Sequence, residues 1–186
     1  MEADVDVSGV LPGRVVLRRG CARDYEGLGR FHYRGSRPAT WAGVWAAEHF
    51  DGWARGAEGR VVAVGVLSYP TLALRVREAA LGLGAMGARE RIGFVNANVR
   101  TISRVVVHPQ FRSAGLAVAM VRCILSHCDT RYVEALAVMG RGHPFFERAG
   151  MRKIDSGGEG RPVYYLWERE EWADLDSGLC RDAGDR

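Results

Sequence analysis

Very little in this sequence suits a membrane span, a metal site or a disulfide framework. No apolar run approaches the ~20 residues of a spanning helix, so no membrane association is expected. Cysteine is sparse: Cys21 and Cys180 stand alone, and Cys123 and Cys128 lie five apart. Without C-x-x-C spacing neither a bound metal nor a set of disulfides is indicated, and a reduced, cytoplasmic protein is expected. The opening MEADVDVSGV is acidic where a secretory signal is basic and then apolar, which argues against export. No Walker loop occurs, so ATP hydrolysis is not expected. Lysine is nearly missing, with Lys153 alone among 26 basic residues. The positive charge is therefore carried by arginine.

What is present suits one globular domain. The 186 residues are 47% hydrophobic and 26% charged, too apolar for a disordered chain and long enough to bury a core. The net charge of +4 is unevenly spread. Glu2, Asp4 and Asp6 open the chain, and residues 168–186 hold seven acids against three arginines. Residues 8–167 then carry 23 bases against 12 acids, or +11. Such a core suits a phosphate-bearing partner, a nucleotide cofactor or nucleic acid, and it equally suits a genome biased toward arginine codons.

The pattern of apolar runs predicts an α/β domain over 8–168 with a mixed, mostly antiparallel sheet. Strands are expected at Arg14–Arg19, Thr40–His49, Arg60–Tyr69, Thr101–His108, Arg131–Val138, Met151–Ile154 and Val163–Glu168. Helices are expected at Cys21–Gly29, Gly115–Cys128 and His143–Ala149. In the second of these Leu116, Met120, Val121, Ile124 and Leu125 recur at helical spacing. Residues 71–100 read as an insertion, with a helix near Leu72–Leu81 and a glycine-rich loop or lid after it. Residues 169–186 read as an acidic tail.

The segment Val105-Val106-Val107-His108-Pro109-Gln110-Phe111-Arg112-Ser113-Ala114-Gly115-Leu116-Ala117 is a strand, a turn and a helix start. A helix's first N–H groups lack internal partners and sit at its positive end, so phosphate oxygens dock there when side chains are small. The spacing R-x-x-G-x-A supplies that smallness at Gly115 and Ala117. It is neither a dinucleotide fingerprint nor a Walker loop.

This strand and turn, with Phe146-Glu147-x-Ala149-Gly150-Met151 further on, resemble the GCN5-related N-acetyltransferases. More narrowly, Phe31–Arg34, Arg37–Thr40, Ser103–Pro109 and Glu134–Gly140 resemble the predicted acetyltransferase domain fused to ABC-type ATPases. The resemblance spans roughly residues 14–168. It implies that fold, with a splayed central strand pair, and transfer of an acetyl group from acetyl-CoA to an amine. By the resemblance, Val105, Val106 and Val107 hold the pantetheine arm. Arg112, Ser113, Ala114, Gly115, Leu116 and Ala117 hold the pyrophosphate. Two positions depart from the family: Ser113 replaces a usual glycine, and Phe146 stands where many relatives have the tyrosine that protonates the leaving thiolate. Phe146 is expected to face the core beside Phe145 or Met151.

Amine acylation needs a proton path and oxyanion stabilisation. Tyr33, His32, Glu134 and Ser103 are the candidates for this chemistry, and Arg34 and Arg37 for holding the acceptor. A phenol donates a proton, an imidazole accepts one, and a guanidinium holds an anion. Two have a plainer reading beside them, a helix-end surface patch for His32 and Tyr33 and a solvated or ion-paired rim carboxylate for Glu134, while Ser103 would act as polar lining. His108 and His143 read as turn and cap residues. The His32-Tyr33 pair also resembles an element of Mom-type phage enzymes that modify adenine in DNA, which keeps a nucleic-acid partner in view. A non-catalytic acyl-CoA-binding module is the third reading. A homodimer is compatible with all three.

Overall fold

Apolar β-rich runs, broken by Gly, Pro and Asp, give six of the eight strands among the described residues, the exceptions being the short edge strands EADV and RKI. The structure is a computed structural model that describes residues 2–5, 12–33, 36–51, 59–138, 142–154 and 162–170. The strands are β1 (Glu2–Val5), β2 (Arg14–Arg19), β3 (Gly43–Phe50), β4 (Arg60–Ser68), β5 (Val99–Val107), β6 (Tyr132–Ala137), β7 (Arg152–Ile154) and β8 (Val163–Glu168). They form one sheet in the order β1-β2-β3-β4-β5-β6-β8-β7. Every neighbouring pair is antiparallel except β5 and β6. The helices are α1 (Ala22–Leu28), α2 (Arg75–Ala80), α3 (Ala88–Asn98), α4 (Leu116–His127) and α5 (Phe145–Arg148). Among the described residues no helix is long and apolar enough to cross a membrane.

One face of the sheet carries α4 and α5. The five α4 residues at helical spacing are all buried, in a core that includes Trp45, Ile102, Val133, Phe146 and Tyr165. The helix can sit this close because β4 offers Gly65: a Cβ there would lie 2.7 Å from Ile124 Cδ1 and 2.8 Å from Met120 Cγ. On the other face Tyr25 and Leu28 of α1 pack on Val44, Val64, Val66 and Val106. Beside them Leu83 and Val95 close over Val99, Tyr132, Tyr164 and Leu166.

Two parts of the chain differ from the sequence expectation. Residues 2–5, placed outside the domain, form an edge strand against β2. Residues 82–87, expected as a loop or lid, make a short 3-10 turn between α2 and α3, with Leu83 buried. The sequence pattern does not announce α3, because ARERIGFVNAN buries only Val95 and so shows no apolar stripe. Gly82, Gly84 and Gly87 have G-x-G-x-x-G spacing, yet a helix rather than a strand precedes them, so the fingerprint's context is lacking. The acidic tail from 171 onward lies outside the described residues.

β5 and β6 share only three rungs, Val99–Tyr132, Arg100–Val133 and Thr101–Glu134, and then part. The last rung is a buried polar clasp. Arg77 Nε and Nη2 donate to the two oxygens of Glu134 at 2.8 and 2.7 Å. Thr101 Oγ1 and Tyr164 Oη donate to the same oxygens at 2.7 and 2.9 Å. Arg77 is wholly buried and Glu134 is 2% exposed. Burial works against the Arg77 charge, but bonding to Glu134 outweighs it and holds the guanidinium protonated. Burial and the Glu134 charge push the Tyr164 phenol upward.

Candidate functional site

Where β5 leaves β6 the sheet opens into a cleft of about 770 Å³. Its first wall is β5 from Ile102 to Val107, and its second includes Leu136, Ala137, Val138, Phe145 and Phe146. The register fixes which backbone groups face it. His108 N–H bonds Val62 O at 2.8 Å, and antiparallel pairs alternate between bonded and non-bonded. Val106–Val64 is therefore a bonded pair, while Val105–Gly65 and Val107–Ala63 are not. The N–H and C=O groups of Val105 and Val107 thus point away from β4, into the opening.

The turn after β5 closes one end of the cleft. Arg112, Ser113, Gly115, Leu116, Ala117 and Val118 all line it; Ala114 is buried in the core behind. Gly115 caps α4 at φ +77°, and a Cβ there would meet nothing within 4 Å. The position is thus reserved for glycine by its backbone angle, and the space in front of the helix's free N–H groups is clear. Ser113 also lies in the left-handed region, at φ +68°. That explains why a glycine would suit the position, and it is a strain the serine carries at the cleft's edge.

The sequence candidates separate clearly. His32, Tyr33 and Ser103 line the cleft with Phe31. The His32 and Tyr33 rings are 4.4 Å apart, and Tyr33 is 58% exposed. Ser103 Oγ lies 2.7 Å from Ser68 Oγ, which donates to Thr40 O at 2.6 Å. Glu134 does not line the cleft: its two oxygens accept four hydrogen bonds in the clasp, so no lone pair is left for a substrate proton. Its ion-paired reading is the one the geometry supports. Arg37 also stands apart, bonded on the surface to Glu26. Arg34 lies outside the described residues. Phe146 is 5% exposed, stacked between Phe145 and Tyr165 at 4.3 and 5.1 Å, and presents an edge to the cleft. His143 also lines the cleft.

His108 is buried just past the end of β5, in a small pocket beside α1 and apart from the cleft, with Phe31 and Phe111 edge-on to its ring at 4.9 and 5.9 Å. Arg60 Nη2 donates to Nε2 at 3.0 Å, which requires that nitrogen to be unprotonated. Burial first, and then Arg60, Arg30 and Arg112, hold the imidazole below its ordinary range. The folded protein therefore binds this proton less readily than the unfolded chain does. The stability so gained is present above about pH 6.5 and is lost as pH falls through the folded value. Urea midpoints measured from pH 7.5 down to 5.5 should decline, and His108→Gln, which still accepts from Arg60, should flatten the decline. A decline of equal slope in His108→Gln would assign it to other groups.

One cleft residue had no role in the sequence reading. Arg104 lines the opening on β5 and is only 8% exposed. Its signal was a single arginine inside the apolar strand TISRVVVH.

No family model and no curated protein sequence matches the chain. Solved structures do. An agmatine N-acetyltransferase variant in its apo form superposes with a TM-score of 0.52 at 13% identity, covering 83% of this chain and 100% of that one. The GNAT domain of PAT from S. lividans gives 0.53 at 17%, covering 90% and 97%. The Escherichia coli acetyltransferase YhbS, solved in complex with CoA, gives 0.52 at 14%, covering 85% and 83%. The fold is thus the GCN5-related acetyltransferase fold, with the splay at the same kind of central strand pair that the sequence suggested.

Proposed function

We propose that this chain is an acyl-CoA-dependent N-acyltransferase that moves an acetyl group from acetyl-CoA to an amine. The observation that carries the reading is the convergence of two features in one cleft. The unpaired backbone groups of Val105 and Val107 line its wall, and the open N-terminus of α4 stands at its end. A pantetheine arm has amide groups that pair with such a strand, and a pyrophosphate suits such a helix end. Arg112 and Arg148, both lining the cleft, add positive charge. The acetyltransferase fold of the structural neighbours, one of them holding CoA, supports the same assignment. The likeness to the ATPase-fused domain rests on the sequence segments alone.

Bound acetyl-CoA would supply an activated thioester carbonyl. Transfer forms one C–N bond, breaks one C–S bond and moves one proton from nitrogen to sulfur. Phe146 has no proton to give, and it contributes an apolar part of the lining. Tyr33 is assigned as the donor to sulfur and His32 as the acceptor of the amine proton. Ser103 is a polar lining that orients the acceptor.

The test is a direct titration with CoA. Wild type should bind it, and Gly115→Glu should bind on the order of 10²-fold more weakly. A carboxylate placed ~4 Å from phosphate oxygens opposes them strongly even at an effective dielectric of ~20. Gly115→Ala carries the backbone cost without the charge and should retain most of the affinity. Unchanged CoA binding in a folded Gly115→Glu protein would move the site elsewhere, and salt-dependent DNA binding without CoA binding would favour the nucleic-acid reading.

A further inference from the structure

We infer that the amine acceptor of this cleft also carries a carboxylate, and that Arg104 receives it. The inference rests on the acyltransferase reading and names its substrate class.

Among the described residues the guanidinium of Arg104 has no counter-ion, and it is buried: Arg104 is 8% exposed, and no carboxylate among those residues lies within ion-pair distance of it. Its hydrogen bonds go to neutral carbonyls, Nη1 to Ser103 O at 2.7 Å and Nη2 to Ser36 O at 3.1 Å, while Nε is buried with no partner. Arg77, wholly buried, shows how this chain compensates such a charge when structure alone is at stake: with a two-point carboxylate. Burying a charge without an opposite one costs stability, so a site that keeps it has another use for it.

Its place says what that use is. Arg104 lines the same cleft as Val105 and Val107, about 10 Å along β5 from Val107 and so from the phosphate end. It projects to the face of α1, as Val106 does, and its bond to Ser36 ties it to the segment that bears His32 and Tyr33. An anion held here sits beside the proposed reacting groups and far from the α4 terminus. The ligand is a carboxylate rather than a phosphate for two reasons. One uncompensated positive charge matches one negative charge, and a planar two-oxygen group fits the fork of a guanidinium. A nucleic-acid backbone is too bulky for a position this enclosed.

The experiment titrates α- and ω-amino acids, each against its carboxamide, into the CoA-loaded protein. At least one acid should bind wild type roughly 30-fold tighter than its amide, and Arg104→Met should erase that preference. Arg104→Lys, which keeps the charge but loses the fork, should retain a part of it. Arg104→Met should bind CoA as wild type does and unfold at an equal or higher temperature, because it removes an uncompensated buried charge. A structural arginine would show the opposite shift. The inference fails if no acid is preferred over its amide, or if the preference survives in Arg104→Met. It fails equally if inorganic phosphate or a DNA duplex, and not an amino acid, stabilises the protein through Arg104. Loss of CoA binding by wild type is a different result and would overturn the acyltransferase reading itself.

Discussion

Tyr33→Phe is expected to lower acetyl transfer by ~10²–10⁴ while leaving CoA affinity nearly unchanged, the loss typical of removing a general acid. The expectation follows from what the cleft contains. Where the sequence resemblance implies a phenol, this chain has Phe146, buried between Phe145 and Tyr165. Tyr165 is no substitute: it is buried, its hydroxyl donates to Glu147 at 3.2 Å, and burial with the Glu147 charge pushes its phenol up to about 12. Tyr164 is spent on Glu134. Of the phenols, Tyr33 is the one that lines the cleft. Turnover is read from release of the free thiol and affinity from calorimetry on the same preparations. A Tyr33→Phe protein working at full rate would remove Tyr33 from the chemistry, and loss of CoA binding in step with turnover would make it a binding residue.

The second large effect concerns the clasp. Arg77→Met should cost about 3–5 kcal/mol in urea denaturation, since it strands a carboxylate that is 2% exposed. Arg77→Met combined with Glu134→Leu should recover much of that loss, because neither charge is then left alone. The double-mutant cycle separates this from simple packing damage, which would add rather than cancel. If the double variant loses the sum of the two single losses, Arg77 and Glu134 are uncoupled and the clasp is not what joins the strands.

Much of this architecture is legible in the sequence, for identifiable reasons. The strand before Pro109 and the helix after Gly115 announce themselves because one is a dense apolar run and the other has a clean helical stripe. Phe146 reads as core because its neighbours Phe145, Ala149 and Met151 are apolar at the right offsets. Glu134 was ambiguous for a physical reason. Its partner Arg77 lies 57 residues away on a helix with no strong pattern, so nothing local shows that its charge is taken. Arg104 was hidden differently. An arginine in a strand is ordinarily an exposed one, and only the fold shows that this one is buried among carbonyls. Arg37 looked like a binding residue through its neighbours in sequence, while in space it pairs with Glu26.

The parting of β5 from β6 gives the sheet two inner margins in addition to its outer ones. An unpaired strand margin is normally a hazard at the periphery, where another chain can add to it. Here one margin lies inside the molecule, along a cleft lined by the start of α4 and by Phe31, His32 and Tyr33. The N–H and C=O groups of Val105 and Val107 there have no rung on β6 and point away from β4. The hazard of a free margin is thereby moved indoors: ladder positions that would invite another chain at the periphery sit instead along an internal cleft, under α4 on one side of the sheet and α1 on the other.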